Sequence, residues 1–297
     1  MALEHSPDHV PVPERSLAYE CFEISTLTPH IGAEIRGIDL SAPLSDDQDK
    51  EVRRAFHDWA VLVFPDQHLE PGQHKAFGAR FGKLHVHPQL RGSKLEHPEV
   101  LPVVTNADTP FTAGDGWHSD VTCDEIPPLG SMLYLRETPE CGGGDTLFAD
   151  MYMAYELLSE PMQHFLESLT AIHDGAGPYA EQHALGFGRH APGEDYPRAE
   201  HPVVTRHPET GRKVLYVNSG FTTRLVGLSA PESRGLLELL FRHVEANPKL
   251  CCRVQWKPNT LVFWDNRCTQ HHAIWDYYPH ARLGGRVSIL GETPPKA

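Results

Sequence analysis

The sequence lacks any apolar run near the roughly 20 residues that cross a bilayer, and nothing in it reads as a membrane span. Basic side chains are scarce: 26 Lys and Arg stand against 40 Asp and Glu, a formal charge of −14. Binding a phosphate backbone needs a basic face, which excludes nucleic acid as the main ligand and leaves a local basic pocket open. The six cysteines (Cys21, Cys123, Cys141, Cys251, Cys252, Cys268) are too few for a disulfide scaffold and form no CxxC pair of a structural zinc site. Free thiols in a reducing cytoplasm are the expectation.

Internal repeats and low-complexity tracts are absent. The first 20 residues lack the apolar core of a secretory signal and hold three prolines. They are expected to form a flexible leader, with residues 21–297 making a single domain. At 297 residues and 40% hydrophobic content, the chain is large enough to bury a sizeable core. Whether it forms a homo-oligomer is left open.

What is present is a succession of short β-branched and apolar runs bounded by Gly, Pro or Asn: Ala60–Phe64, Pro102–Thr105, Ser131–Arg136, Thr146–Ala149, Pro202–Arg206, Lys213–Val217, Cys252–Trp256, Thr260–Trp264 and Arg286–Leu290. Such runs predict a mainly β fold, a sandwich or barrel, and they do not alternate with helices as a doubly wound sheet requires. Ser45 with Gln48 and Ser229 with Glu232 have capping-box spacing, each followed by an apolar stripe; Pro161–Leu169 is a further helix candidate. Helices with one apolar side each should flank the β core.

Twenty histidines and 40 acidic residues predict about 2.7 His-x-acid matches by chance, so the five observed carry little weight as a motif. Their settings differ. His243 and Glu245 fall on a predicted helix, where residues two apart do not share a face. His118 and Asp120 follow Trp117 in extended text, where residues two apart project to one side at about 6.6 Å. By itself this pair reads equally as a cation-facing pair or a solvated turn. Far downstream, Leu261–Asp265 reads as a buried strand, and His271 follows it; alone, His271 reads as a satisfied core or surface histidine sooner than as a ligand. Together, two histidines and one carboxylate are the donor set of a non-haem Fe(II) facial triad.

The text Trp117-His118-Ser119-Asp120, then Gly142-Gly143-Gly144-Asp145-Thr146, then Trp264-Asp265-Asn266-Arg267-Cys268-Thr269-Gln270-His271 and Arg282-x-x-x-Arg286, resembles the TauD/TfdA family of Fe(II)- and 2-oxoglutarate-dependent dioxygenases. Ile31–Leu40 resembles the family's opening hairpin and Phe81–Pro88 its substrate-side loop, so the likeness runs from about residue 21 to 292. The resemblance implies a double-stranded β-helix, or jelly roll, with flanking helices. It implies Fe(II) held by His118, Asp120 and His271, the last chosen over His272 because the family's distal ligand follows Thr-Gln. It implies 2-oxoglutarate held by Arg282 and Thr146, with dioxygen as the second co-substrate and no side chain acting as a nucleophile. A carboxylate at position 120, where halogenating relatives carry a small non-coordinating residue, implies hydroxylation.

For the substrate, the resemblance assigns an anionic head group to Arg286, a polar contact to His87 and an aromatic lining to Phe221. Leu90 and Gly114 stand where taurine-using members carry polar side chains, and Gly175 stands at an aromatic position. Losing two hydrogen bonds of about 0.5–1.5 kcal/mol each disfavours a small amino-sulfonate. A larger or more apolar sulfonate or sulfate ester is the expectation. A carboxylic acid is the alternative substrate, and a non-enzymatic metal-holding jelly roll the alternative class. The triple glycine is one residue longer than the family's usual pair.

Overall fold

The computed structural model describes residues 9–87, 90, 93–109, 114–184 and 196–297. Residues 1–8 of the expected leader and Pro88 of the substrate-side loop lie outside this set. In chain order the strands are β1 (Glu23–Thr26), β2 (Ala33–Arg36), β3 (Val61–Phe64), β4 (Leu101–Thr105), β5 (Gly130–Glu137), β6 (Thr146–Asp150), β7 (Thr170–Asp174), β8 (Arg198–Pro202), β9 (Val204–Arg206), β10 (Lys213–Leu215), β11 (Thr222–Leu225), β12 (Cys251–Val254), β13 (Thr260–Asp265), β14 (Thr269–Ala273) and β15 (Arg282–Ile289). The helices are α1 (Asp46–Trp59), α2 (Pro71–Ala79), α3 (Met151–Glu156), α4 (Glu160–Leu166), α5 (Ala176–Ala184) and α6 (Ala230–Glu245). The protein is therefore mainly β with flanking helices.

A seven-stranded sheet runs β1-β2-β3-β13-β5-β15-β4, and a smaller sheet runs β12-β6-β14. The central strand β13 is buried along its whole length because both of its faces are covered. Leu261 and Phe263 face α1 and α2, packing with Phe56 and Phe77, while Val262 and Trp264 face the smaller sheet, packing with Phe148, Cys252 and Val254. The same alternation sends Met132 and Tyr134 of β5 toward the helices and Leu133 and Leu135 toward the smaller sheet. On β15, Val287 and Ile289 take the helix side. Arg286 pairs with Leu133 and Ser288 with Ser131, so these polar residues turn to the space between the sheets.

The capping boxes predicted for α1 and α6 form: Gln48 N–H bonds Ser45 Oγ at 3.2 Å, and Ser229 N–H bonds Glu232 Oε2 at 2.9 Å. Other boundaries differ from the sequence reading. Pro202–Arg206 is not one strand, because Val203 N–H turns aside to Leu169 O and separates β8 from β9. The helix expected through Leu169 ends at Leu166, since the chain must enter β7 at Thr170. The opening hairpin pairs Glu23–Thr26 with Ala33–Arg36, a few residues earlier than the resembling text. Residues 9–20 form no helix or strand. They are nevertheless tied down: Arg15 lies 4.5 Å over the Trp59 ring and donates to His30 O.

Candidate functional site

The smaller sheet presents its own polar face to the same space. His271 pairs with Phe148, and Ala273 with Thr146, so His271 and Thr146 share the side on which Phe148 meets the larger sheet. His118 belongs to no strand, but exchanges both backbone hydrogen bonds with His271, at 3.1 and 2.8 Å. That isolated bridge brings two residues 153 positions apart to within 4.1 Å, ring centre to ring centre. Asp120 Oδ1 lies 3.9 Å from Nε2 of each histidine, and the three donor atoms fall within 4.8 Å of one another.

The chemistry of this donor set suits a divalent cation. His118 Nδ1 is 2.8 Å from Gly116 O; a carbonyl only accepts, so Nδ1 carries the proton and Nε2 keeps its lone pair for the shared space. Burial pulls the pKa of His118 down and that of His271 far down, which keeps both imidazoles neutral. Burial alone would raise Asp120. The Arg286 guanidinium, helped by the hydrogen bond from Ser131, outweighs it and holds the carboxyl well below the usual carboxylate range.

The carboxylate is held from behind. Asp120 Oδ2 accepts from Ser131 Oγ at 2.9 Å, and Ser131 Oγ is 3.1 Å from Ser288 Oγ. Asn266 clamps the backbone: its Oδ1 accepts from Asp120 N–H at 2.6 Å, and its Nδ2 donates to Asp120 O and Pro128 O at 2.9 and 3.1 Å. Neither Ser131 nor Asn266 is marked in the sequence as a site residue, although Asn266 sits inside the Trp264–His271 text.

Opposite the triad, Arg286 donates from Nη1 to Asp120 Oδ1 at 3.1 Å. Arg282 is only 5% exposed, and its Nε and Nη2 are buried with no hydrogen-bond partner. A guanidinium is rarely buried without an anion, so this cation fits a carboxylate that the chain itself does not provide. Trp256 lies 5.4 Å beneath it and donates from Nε1 to Thr146 Oγ1 at 3.0 Å. The Thr146 hydroxyl accepts that bond and retains its own proton to donate. Four positions apart on one strand, Arg282 and Arg286 share a face, as Thr146 and His271 do across from them.

The remaining expected residues are placed as follows. Phe221 is buried and follows Gly220, where a Cβ would come within 2.9 Å of His118 Cβ. His87 is half-buried, with its ring 6.3 Å from that of His85, whose N–H bonds Ser288 O beside the Ser131 anchor. A Cβ on Gly114 would lie 3.3 Å from His118 Cε1, so this position borders a triad ring. The aromatic place left empty at Gly175 is filled by another residue: the Tyr179 ring comes within 2.6 Å of where a Cβ would stand.

A second cluster, His207, Asp265 and Cys268, also brings its donor atoms within 4.8 Å, but does not suit a cation. Both Asp265 oxygens are taken by Arg267, at 2.8 and 2.6 Å, and one also by His207 Nε2 at 3.0 Å. Thr210 N–H donates to His207 Nδ1, which makes Nε2 the protonated nitrogen. Burial pushes the Cys268 thiol well up. This is a closed knot that anchors the turn carrying Asn266.

Two neutral histidines and a carboxylate that converge between two facing sheets, with an unpaired buried arginine nearby, match the donor set of the facial-triad class of non-haem iron oxygenases. The chain belongs to the TauD/TfdA family: the family model described as "Taurine catabolism dioxygenase TauD, TfdA family" matches residues 23–288. It is thus a 2-oxoglutarate-dependent dioxygenase, an oxidoreductase of a family that uses Fe(II), 2-oxoglutarate and dioxygen. It is similar to an alpha-ketoglutarate-dependent sulfonate dioxygenase of Saccharomyces cerevisiae, 35% identical over 285 residues that cover 92% of this chain and 68% of the relative. An alkylsulfatase of Acinetobacter baylyi is 35% identical over 284 residues, 91% of this chain and 85% of that one. Among solved structures, a putative alpha-ketoglutarate-dependent taurine dioxygenase from Burkholderia xenovorans superposes with a TM-score of 0.79 at 36% identity, covering 92% of this chain and 94% of that one.

Proposed function

We propose that this chain hydroxylates a carbon bearing a sulfonate or sulfate ester, on an organic anion larger or more apolar than taurine. The observation that carries the reading is the facing of two anion-seeking arginines, Arg282 and Arg286, toward the His118–Asp120–His271 triad in one inter-sheet space. The similarity to a sulfonate dioxygenase and an alkylsulfatase supports the sulfur-oxyanion class. We further propose that the two sheets form the jelly roll, that residues 21–297 are a single domain preceded by a leader, and that the protein works in the cytoplasm. Six free cysteines, two of them adjacent, support a reducing compartment.

His118, Asp120 and His271 would hold Fe(II). When bound together, iron, 2-oxoglutarate and dioxygen supply the oxidising power: 2-oxoglutarate becomes succinate and CO₂, and one oxygen atom is delivered to a substrate C–H bond. The chain's own part is orientation. Arg282 would pair the far carboxylate of 2-oxoglutarate through a planar, two-pronged donor, with the Thr146 hydroxyl as a further donor. Arg286 offers its guanidinium to the substrate anion, with His87 on the neighbouring segment. Phe148, Trp264 and Phe221 wall the space and exclude water, so charge pairs formed there are stronger than in solvent. Gly114 and Leu90 add no hydrogen-bonding side chain, and Tyr179 takes the aromatic place at Gly175, which together favour an apolar tail over an amine.

Hydroxylation beside the sulfur group gives an unstable product that breaks its C–S or C–O bond, leaving an aldehyde and releasing sulfite or sulfate. The test is aerobic turnover on a panel of alkyl sulfonates, alkyl sulfates and aryloxy or alkyl carboxylates, measuring succinate against released sulfite or sulfate. One released sulfur oxyanion per substrate-dependent succinate is expected. Succinate stimulated only by carboxylates would overturn the sulfur assignment, and none above background with any anion would leave a metal-holding module instead. That second reading is opposed by Arg282, which such a module would have no reason to bury unpaired.

A further inference from the structure

The last two residues of the triple glycine, Gly143 and Gly144, pack against the segment that follows β14. Gly144 has φ +84°, and a Cβ there would lie 3.1 Å from both Cδ1 and Cε1 of Tyr277. A Cβ on Gly143 would meet Asp276 Oδ1 at 2.7 Å and Tyr277 Cβ at 3.1 Å. The Gly144 N–H donates to Asp276 Oδ1 at 2.8 Å, closing the turn over the Asp276-Tyr277 pair. Only glycines let this turn pack so closely against the Asp276 and Tyr277 side chains.

The ring seated in this way is 2% exposed, and its hydroxyl lies 3.0 Å from Thr105 Oγ1. Thr105 is the direct β4 partner of Arg282 on β15, and its Oγ1 also reaches Arg282 O at 3.4 Å. Burial lowers the pKa of the Arg282 guanidinium, and the Tyr277 hydroxyl is the neighbour that most opposes it, by charge and by hydrogen bonding. On its other side the guanidinium lies over Trp256, which is anchored by Thr146. One aromatic group is therefore fixed by β6 and the other by the glycine turn that leads into β6.

We infer that Tyr277 is a positioning residue that orients Arg282 for a dicarboxylate co-substrate, and that Gly143 and Gly144 are its seat. The inference rests on the proposed role of Arg282 and deepens it. Without the Tyr277 hydroxyl, Thr105 loses its partner and Arg282 loses the dipole that steadies it, so its two unpaired N–H donors are no longer held in readiness. The substrate anion, assigned to Arg286, should not sense the change.

The test is calorimetric titration of the Mn(II)-loaded full chain with N-oxalylglycine, an unreactive analogue of 2-oxoglutarate, using the parent, Tyr277→Phe, Arg282→Ala and the double variant. Tyr277→Phe keeps the ring against Gly144 and should weaken binding about five-fold, the loss of one ordinary hydrogen bond. The double variant should bind no more weakly than Arg282→Ala, because the hydroxyl acts only through that arginine. In turnover, the KM for 2-oxoglutarate should rise while that for the organic anion stays put, a split that general loosening would not produce. Thr105→Val, which removes the hydroxyl's partner, should reproduce the defect. Equal binding by parent and Arg282→Ala would remove the co-substrate reading itself. Weaker binding by Arg282→Ala with Tyr277→Phe equal to the parent, or fully additive losses, would overturn the positioning role alone.

Discussion

The residue after Asp120 shows how tightly the carboxylate facing the two histidines is held. Val121 has φ +51°, a left-handed conformation that a β-branched side chain adopts only when its surroundings enforce it. The Asn266 clamp supplies that enforcement by holding Asp120 N–H, Asp120 O and Pro128 O at once. Asn266→Asp preserves the shape and the acceptor but removes both N–H donors and adds a negative charge. It should weaken divalent-metal affinity about ten-fold, by analogy with groups that orient ligands from behind. Competition between the protein and a chelating dye for Zn(II) measures this directly; unchanged affinity would remove Asn266 from the account. His118, Asp120 and His271 are expected together only because the two stretches that hold them resemble the family's text, since their spacing alone carries little weight; the structure brings their donor atoms within 4.8 Å of one another. The clamp could not be expected, since its bonds join side chain to backbone across 146 positions and depend on a turn no local pattern announces.

At the scale of elements, legibility followed the strength of local signals. α1 and α6 were readable because capping boxes coincide with apolar stripes. α2 has the same device, Glu70 N–H to Gln73 Oε1 at 2.8 Å with Pro71 at its start, but Gly72 and Gly78 interrupt its stripe. Short strands such as β7 and β11 exist through pairing with each other rather than through their own pattern. Two of these less legible elements carry buried histidines: His74 on α2, whose pKa burial lowers to about 4, and His173 on β7, lowered to about 3. Unfolded, both titrate near 6.5. Between the folded and unfolded values the unfolded chain binds more protons, so stability is fully present above about pH 6.5 and falls as pH drops toward 4. Each histidine should contribute a loss of about 2 kcal/mol between pH 6.5 and 5. Urea midpoints at pH 7.5 and 5.0 check this, and His74→Gln should shrink the difference between them. A His74→Gln variant with the parent's full pH dependence would rule that histidine out.

At the scale of the whole molecule, the mostly β class was legible from many short runs, and the sheet order was not. The order β1-β2-β3-β13-β5-β15-β4 interleaves early and late strands, and only this interleaving brings Arg286 on β15 beside Asp120 in the connection before β5. The net charge of −14 argues against a polyanionic partner, yet it says nothing about the inter-sheet space, which holds Arg282 and Arg286. The residues chosen for metal and co-substrate come from both sheets and the connections between them. Iron and 2-oxoglutarate held by these residues would therefore tie the two layers together.

We propose that His118, Asp120 and His271 hold iron while Arg282 holds 2-oxoglutarate beside it. The most direct test of this proposal is an anaerobic titration of Fe(II) into the protein with 2-oxoglutarate present, followed by visible charge-transfer absorption. The account predicts a band that saturates at one iron per chain, survives His272→Ala and disappears in His271→Ala. It also predicts that Arg282→Ala raises the 2-oxoglutarate concentration needed at least ten-fold, as expected for a lost charge-assisted pair. A band of equal strength in His271→Ala, or no band in the parent, would contradict it.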